Sequence, residues 1–154
     1  MVSSYTIVFL LLFLATGLIA LRFGGAPERI GATIVLAWAL SDVAYHTVLG
    51  RTEVASVDVG HFVIDGTVLV AIIWLALRAD RLWPLWAAGA QLICFTGHLI
   101  ALIETDNVHR AYWAMTQTPQ YVQLGALLIG TYRHARRKRR VGDDTAWRAT
   151  RSAA

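Results

Sequence analysis

The chain has 154 residues, 56% of them hydrophobic and only 16% charged, with a formal net charge of +4. A soluble domain of this size needs far more charged surface, so the composition points to lipid as the main solvent and leaves no room for a separate soluble domain. Cys94 is the only cysteine, which excludes an intramolecular disulfide, a zinc ribbon and a CxxC redox motif.

A membrane span needs about 20 mostly apolar residues. The first candidate, 5–21, is almost purely apolar and is closed by Arg22 and the turn Gly24-Gly25-Ala26-Pro27. No basic stretch precedes it, so it reads as a retained helix and not as a signal peptide. A second helix is expected over about 30–49, followed by a mixed loop from Arg51 to Asp58. A third covers about 60–77 and ends in the tight turn Arg78-Ala79-Asp80-Arg81. The fourth, 83–103, carries Pro84 in its first turn, where a missing N–H costs little. The fifth, 108–132, is polar in its middle (Thr116, Gln117, Thr118, Gln120, Gln123) and is expected to kink at Pro119 and to pack against protein or line a polar cavity.

The expected fold is therefore all-α, an integral membrane bundle of five transmembrane helices with a basic tail at 133–154. Charge sets the orientation. With the tail in the cytoplasm, the 22–29 and 78–81 turns are inside as well, and twelve Lys and Arg residues lie on that side against Arg51 and Arg110 outside. The bias of basic residues toward the cytoplasm gives N-out, C-in. The run Arg136, Arg137, Lys138, Arg139 and Arg140 follows an apolar helix directly, a pattern that fits contact with anionic lipid and not with nucleic acid. Trp83, Trp86, Tyr112 and Trp113 fall where interfacial aromatics belong. The small-residue pairs Gly97/Ala101 and Ala126/Gly130 allow close helix packing, within the chain, in a homo-oligomer or in a larger membrane complex.

Two segments carry a resemblance. Leu21-Arg22-Phe23-Gly24-Gly25-Ala26-Pro27-Glu28-Arg29-Ile30 resembles the first cytoplasmic turn of a group of short bacterial membrane proteins of unassigned function. The stretch Leu75 to Trp86, with Asp65 before it and His98-Leu99 after it, resembles the same group. The resemblance covers most of the chain and implies a multi-pass protein of the bacterial inner membrane. Asp65 and His98 match its pattern; His46 and His61 do not.

Ionisable residues inside spans are costly and mark functional sites. Asp42 and His46 are four apart on the second helix, and His61 and Asp65 are four apart on the third, in reverse order. An antiparallel hairpin brings the histidines to one depth and the aspartates to another. Gln91, Cys94 and His98 form a polar stripe on the fourth helix, and Tyr112, Thr116, Gln120 and Gln123 one on the fifth. Three readings of this outer-half layer stay open. Asp42, His46, His61, Asp65 and His98 are candidate ligands for a transition metal, or His46 or His61 pairs with His98 on a haem iron. Alternatively, Asp65, His98, Gln120 and Gln123 line a proton or ion path, as in a coupled transporter or channel. In the third, the groups are interhelical glue. The leading expectation is a non-enzymatic small membrane protein, a subunit of a larger assembly or a homo-oligomer; a metal-dependent membrane enzyme is the remaining class. No serine or cysteine nucleophile with a base, and no phosphate-binding loop, is evident.

Overall fold

The computed structural model describes residues 4–48, 53–54, 57–103 and 109–142. It is all-helical apart from one minimal ladder. The helices are α1 (Ser4–Phe23), α2 (Ala26–Val48), α3 (Val59–Arg78), α4 (Trp83–Ile103) and α5 (His109–Val141). Between α2 and α3, β1 (Glu53–Val54) and β2 (Val57–Asp58) pair antiparallel with Glu53 opposite Asp58. Each helix packs on the next, most extensively α4 on α5, and α5 returns to α1, so the five close into a ring. Phe13, Val35, Trp38, Val68, Ile72, Leu75, Leu124 and Leu127 fill its centre. Trp38 stacks within 4.9 Å of Phe13.

Two boundaries differ from expectation. The second helix starts at Ala26, not near residue 30, because Pro27 initiates it: its fixed φ and absent N–H suit a first turn. Glu28 then reaches back to accept the Gly25 N–H at 3.0 Å, one half of a capping box. At the other end, the basic segment 133–141 is not a tail but the last part of α5, a 33-residue helix. At about 1.5 Å per residue it is roughly 50 Å long. Arginine and lysine are good helix formers and are favoured by the dipole at a helix C-terminus. The helix stops at Gly142, whose φ of 83° is left-handed. Residues 143–154 lie outside the described residues, as do Glu104 and Asp106.

Pro119 sits inside α5 without ending it. Asp58 caps α3, its carboxylate accepting the Gly60 and His61 N–H groups at 3.1 and 3.4 Å. Ala79 closes the same helix through its N–H to the Leu75 carbonyl, at 2.8 Å. Trp83 is wedged between α2 and α5, where a Cβ on Gly31 or Gly130 would overlap its ring.

Among the described residues, α3 alone is long and apolar enough to cross a membrane by itself, with a mean hydropathy of 2.0; Ile7–Phe23 is a shorter apolar helix. The polar groups that lower the average elsewhere are turned inward: Glu28, Gln91, His98, Thr116, Gln120 and Gln123 are all buried. The outward faces of the helices are apolar, with Leu11 58%, Leu40 71%, Val70 69% and Ile129 57% exposed.

Candidate metal centre and buried polar network

The single polar layer expected from helix spacing separates into two clusters, one open and one sealed. The open cluster lies where α2 ends and α3 begins. Asp42 is half-buried on α2, and its Oδ1 lies 2.7 Å from His61 Nε2 of α3 and 3.7 Å from His46 Nε2. The two imidazoles face each other with ring centroids 5.0 Å apart. One ligand atom from each of Asp42, His46 and His61 can be chosen so that all three lie within 4.8 Å of one another.

The other nitrogen of His61, Nδ1, is 3.1 Å from Asp58 Oδ2. Asp58 is itself fixed by the Tyr45 hydroxyl, which donates to Oδ1 at 2.6 Å, and by the α3 cap. Burial raises the Asp58 pKa, but the Tyr45 hydrogen bond and the charge and hydrogen bonds of His61 outweigh it and hold the carboxyl below its ordinary value. Asp58 therefore stays ionised on one nitrogen of His61 while Asp42 holds the other at 2.7 Å, so an ion bound here would take the place of the Asp42–His61 hydrogen bond. A carboxylate behind a histidine is the usual outer support of an imidazole metal ligand. Ligands held at about 2.0–2.1 Å from a common ion are roughly 3.0–3.5 Å apart. Rotamer adjustments of less than an ångström or two would close this set around one ion. His46 is the exposed member, with 37% of its side chain accessible, so solvent reaches the site.

The sealed cluster is built on Asp65, which is 2% exposed. Its Oδ1 accepts the Trp38 Nε1–H at 2.7 Å. Oδ2 lies 2.9 Å from His98 Nε2 and 3.4 Å from the Cys94 thiol, whose single S–H is shared with the Thr116 carbonyl at 3.2 Å. His98 Nδ1 meets the Tyr112 hydroxyl at 3.0 Å. With His98 Nε2–H donating to Asp65 and Nδ1 accepting from Tyr112, all three groups are satisfied. Below them, Gln91 donates to the Asp65 carbonyl at 3.0 Å, and Gln123 donates to Gln91 Oε1. Gln120 Oε1 is buried without a hydrogen-bond partner. Gln91, Gln120 and Gln123 line a cavity of about 10 Å³, the size of a single water.

Of the two i,i+4 spacings, Asp42/His46 persists at 3.7 Å, whereas His61 and Asp65 each pair with another helix. Asp65 is matched by His98 of α4, not His61, and Asp42 is closer to His61 of α3 than to His46. His98 thus falls in a different cluster from His46 and His61. Asp65, Cys94 and His98 also converge within 4.8 Å. Their polar atoms are already committed to one another and to Trp38, Thr116 and Tyr112, so a cation would have to break that network. Of the basic run, Arg136, Lys138, Arg139 and Arg140 are exposed on the last turns of α5, while Arg137 is half-buried.

Sequence reasoning missed Trp38, an indole in an apolar stretch with no polar signal of its own. It also missed Glu28, which is fully buried and accepts the Trp83 Nε1–H at 2.9 Å, with Arg81 Nε at 4.0 Å. The Gly25/Glu28 spacing was a readable clue, since it is that of a capping box.

No protein-family model matches the chain, and neither do any of the curated proteins or solved structures compared with it.

Proposed function

We propose that the chain is a multi-pass protein of the bacterial inner membrane, N-terminus outside and the basic end of α5 in the cytoplasm, that binds one divalent transition ion at Asp42, His46 and His61. The observation that carries the metal reading is the convergence of one carboxylate and two imidazoles, backed by Asp58 on the far nitrogen of His61. Imidazole and carboxylate donors suit zinc and iron(II), and a set of three leaves positions for water or a substrate. The membrane reading is supported by inward-turned polar groups, outward apolar faces and the charge bias, which together match lipid as solvent. Binding, within an oligomer or a larger membrane assembly, is the function proposed; a metal-dependent reaction would use the same open positions.

The test is metal content by mass spectrometry on protein purified in mild detergent from metal-supplemented cells. About one ion per chain is expected, lost in His46→Ala and His61→Ala and retained in His98→Ala. A metal-free wild-type preparation would overturn the reading. Reporters fused after Arg140 and at Asp106 test the topology; finding both on one side would remove α5 as a span.

A second reading rests on a separate observation, the chain Tyr112–His98–Asp65 that leads toward the Gln91/Gln123 pair. Proton relays inside membranes use carboxylate–histidine chains of this kind. A pH-driven flux in proteoliposomes, abolished in Asp65→Asn and retained in His61→Ala, would support it.

A further inference from the structure

Toward the C-terminal part of α5, that helix and α4 part to form a groove of about 490 Å³, within the roughly 300–1,000 Å³ typical of small-ligand sites. Its lining on α5 follows helical spacing: Val122, Gly125, Ala126, Ile129, then Arg133 and Arg137. From Val122 to Arg137 the stripe runs about 22 Å at 1.5 Å per residue, apolar over its first two thirds and cationic over the rest. Arg81, in the turn before α4, joins the cationic end, and Leu85 and Trp86 extend the apolar wall. The carboxylate lining it belongs to Asp80, whose backbone carbonyl accepts from Arg81 Nη1 at 2.8 Å, and the buried Glu28 carboxylate lies 4.0 Å from Arg81 Nε.

The groove is kept open by its floor. A Cβ placed on Gly125 would meet nothing within 4 Å, whereas one on Gly130 would overlap Trp83. Its apolar walls continue onto the outer surface, where Leu85 is 50%, Trp86 71% and Ile129 57% exposed.

We propose that this groove holds one anionic phospholipid, its phosphate among Arg81, Arg133 and Arg137 and one acyl chain along Val122 to Ile129. The assignment rests on the reading that the bundle spans a membrane with this end in the cytoplasmic leaflet. An amphiphile matches the order of the lining, an anion at the arginines and a hydrocarbon beside the glycine. Guanidinium groups bind phosphate oxygens in bidentate geometry. Basic pockets between helices on the cytoplasmic side are the known setting for anionic head groups. Three guanidinium groups against the carboxylates of Asp80 and, behind Arg81, Glu28 leave a net positive end that selects a net negative head group over a zwitterionic one.

This differs from a general attraction of the basic run to the leaflet. Arg136 and Arg139 lie on the same turns but do not line the groove. That contrast makes the test. Purified protein is exchanged with phosphatidylglycerol or phosphatidylcholine and bound lipid is counted by native mass spectrometry. One phosphatidylglycerol per chain is expected, held at least ten-fold more tightly than phosphatidylcholine. The pair Arg133→Gln/Arg137→Gln should weaken it at least ten-fold, while Arg136→Gln/Arg139→Gln, with the same charge change, leaves it within about two-fold. Gly125→Phe should abolish retention with unchanged helix content and unchanged metal content at Asp42, His46 and His61. Equal loss in the two arginine pairs, or full retention in a folded Gly125→Phe variant, would overturn the site. Carbonate-washed membranes separate the two failures. A chain retained in them that binds no lipid refutes the groove alone, and a chain released from them refutes the membrane reading and the groove with it.

Discussion

The two polar clusters are each built around an aspartate and a histidine backed by a tyrosine, and they differ in how many partners each group has. Around Asp65, three donors from α2 and α4 meet one carboxylate, and the second nitrogen of His98 is taken by Tyr112. Around Asp42, His61 is held at 2.7 Å, but His46 Nε2 stands at 3.7 Å, beyond hydrogen-bond range, and solvent reaches its ring. Saturation makes the first cluster a structural tie or a relay. Incomplete pairing at His46 is what the proposed ion site would use in the second. Composition alone does not separate a ligand set from glue; the number of uncommitted lone pairs does.

The comparison can be broken most sharply at Asp65. Asp65→Ala would leave the Trp38, His98 and Cys94 donors buried without their acceptor, and a loss of about 3–5 kcal/mol is expected, as when one partner of a buried pair is removed. Thermal unfolding in detergent measures it; a loss below about 1 kcal/mol would mean that the cluster is hydrated. Asp42→Ala, in the half-exposed cluster, should cost far less in the metal-free protein and remove metal binding.

Metal removal comes next. An ion at a hundred times its dissociation constant stabilises a folded protein by about 2.7 kcal/mol. Chelation should therefore lower the melting temperature of the wild type and leave His61→Ala unmoved, and an equal shift in both would place the ion elsewhere.

Asp58→Asn tests the support behind His61. A loss of about 10–100-fold in metal affinity is expected, the range for changes behind a ligating histidine. Competition with a metal-sensitive dye reads it, and unchanged affinity would detach Asp58 from the site. The smallest effect is expected from Tyr112→Phe, which removes one hydrogen bond to His98 and should cost about 0.5–1.5 kcal/mol with no change in metal content. A loss of metal in this variant would join the two clusters into one site.

The sequence was informative where one helix sufficed. The positions of five helices, the stripe Gln91/Cys94/His98 and the stripe Thr116/Gln120/Gln123 all follow from a 3.6-residue period acting on one segment at a time. Asp65 and His98 were each legible as buried polar positions because ionisable groups in apolar stretches are rare, and only the resemblance put them together. Two helix ends were misread for local reasons: Pro27 looked like a turn residue although it opens α2, and the arginine run looked like a tail although its residues favour helix.

What only the tertiary structure decided is which groups meet. Spacing of four along α2 and α3 offered Asp42/His46 and His61/Asp65, but the packing of the ring turned Asp65 toward Trp38, Cys94 and His98 and gave His61 to Asp42 and Asp58. A sequence fixes the face on which a side chain lies. The rotation of each helix about its axis is set by core packing, in which Phe13, Trp38 and Trp83 take part, and that rotation determines whether a carboxylate meets a histidine of its own helix or of the next.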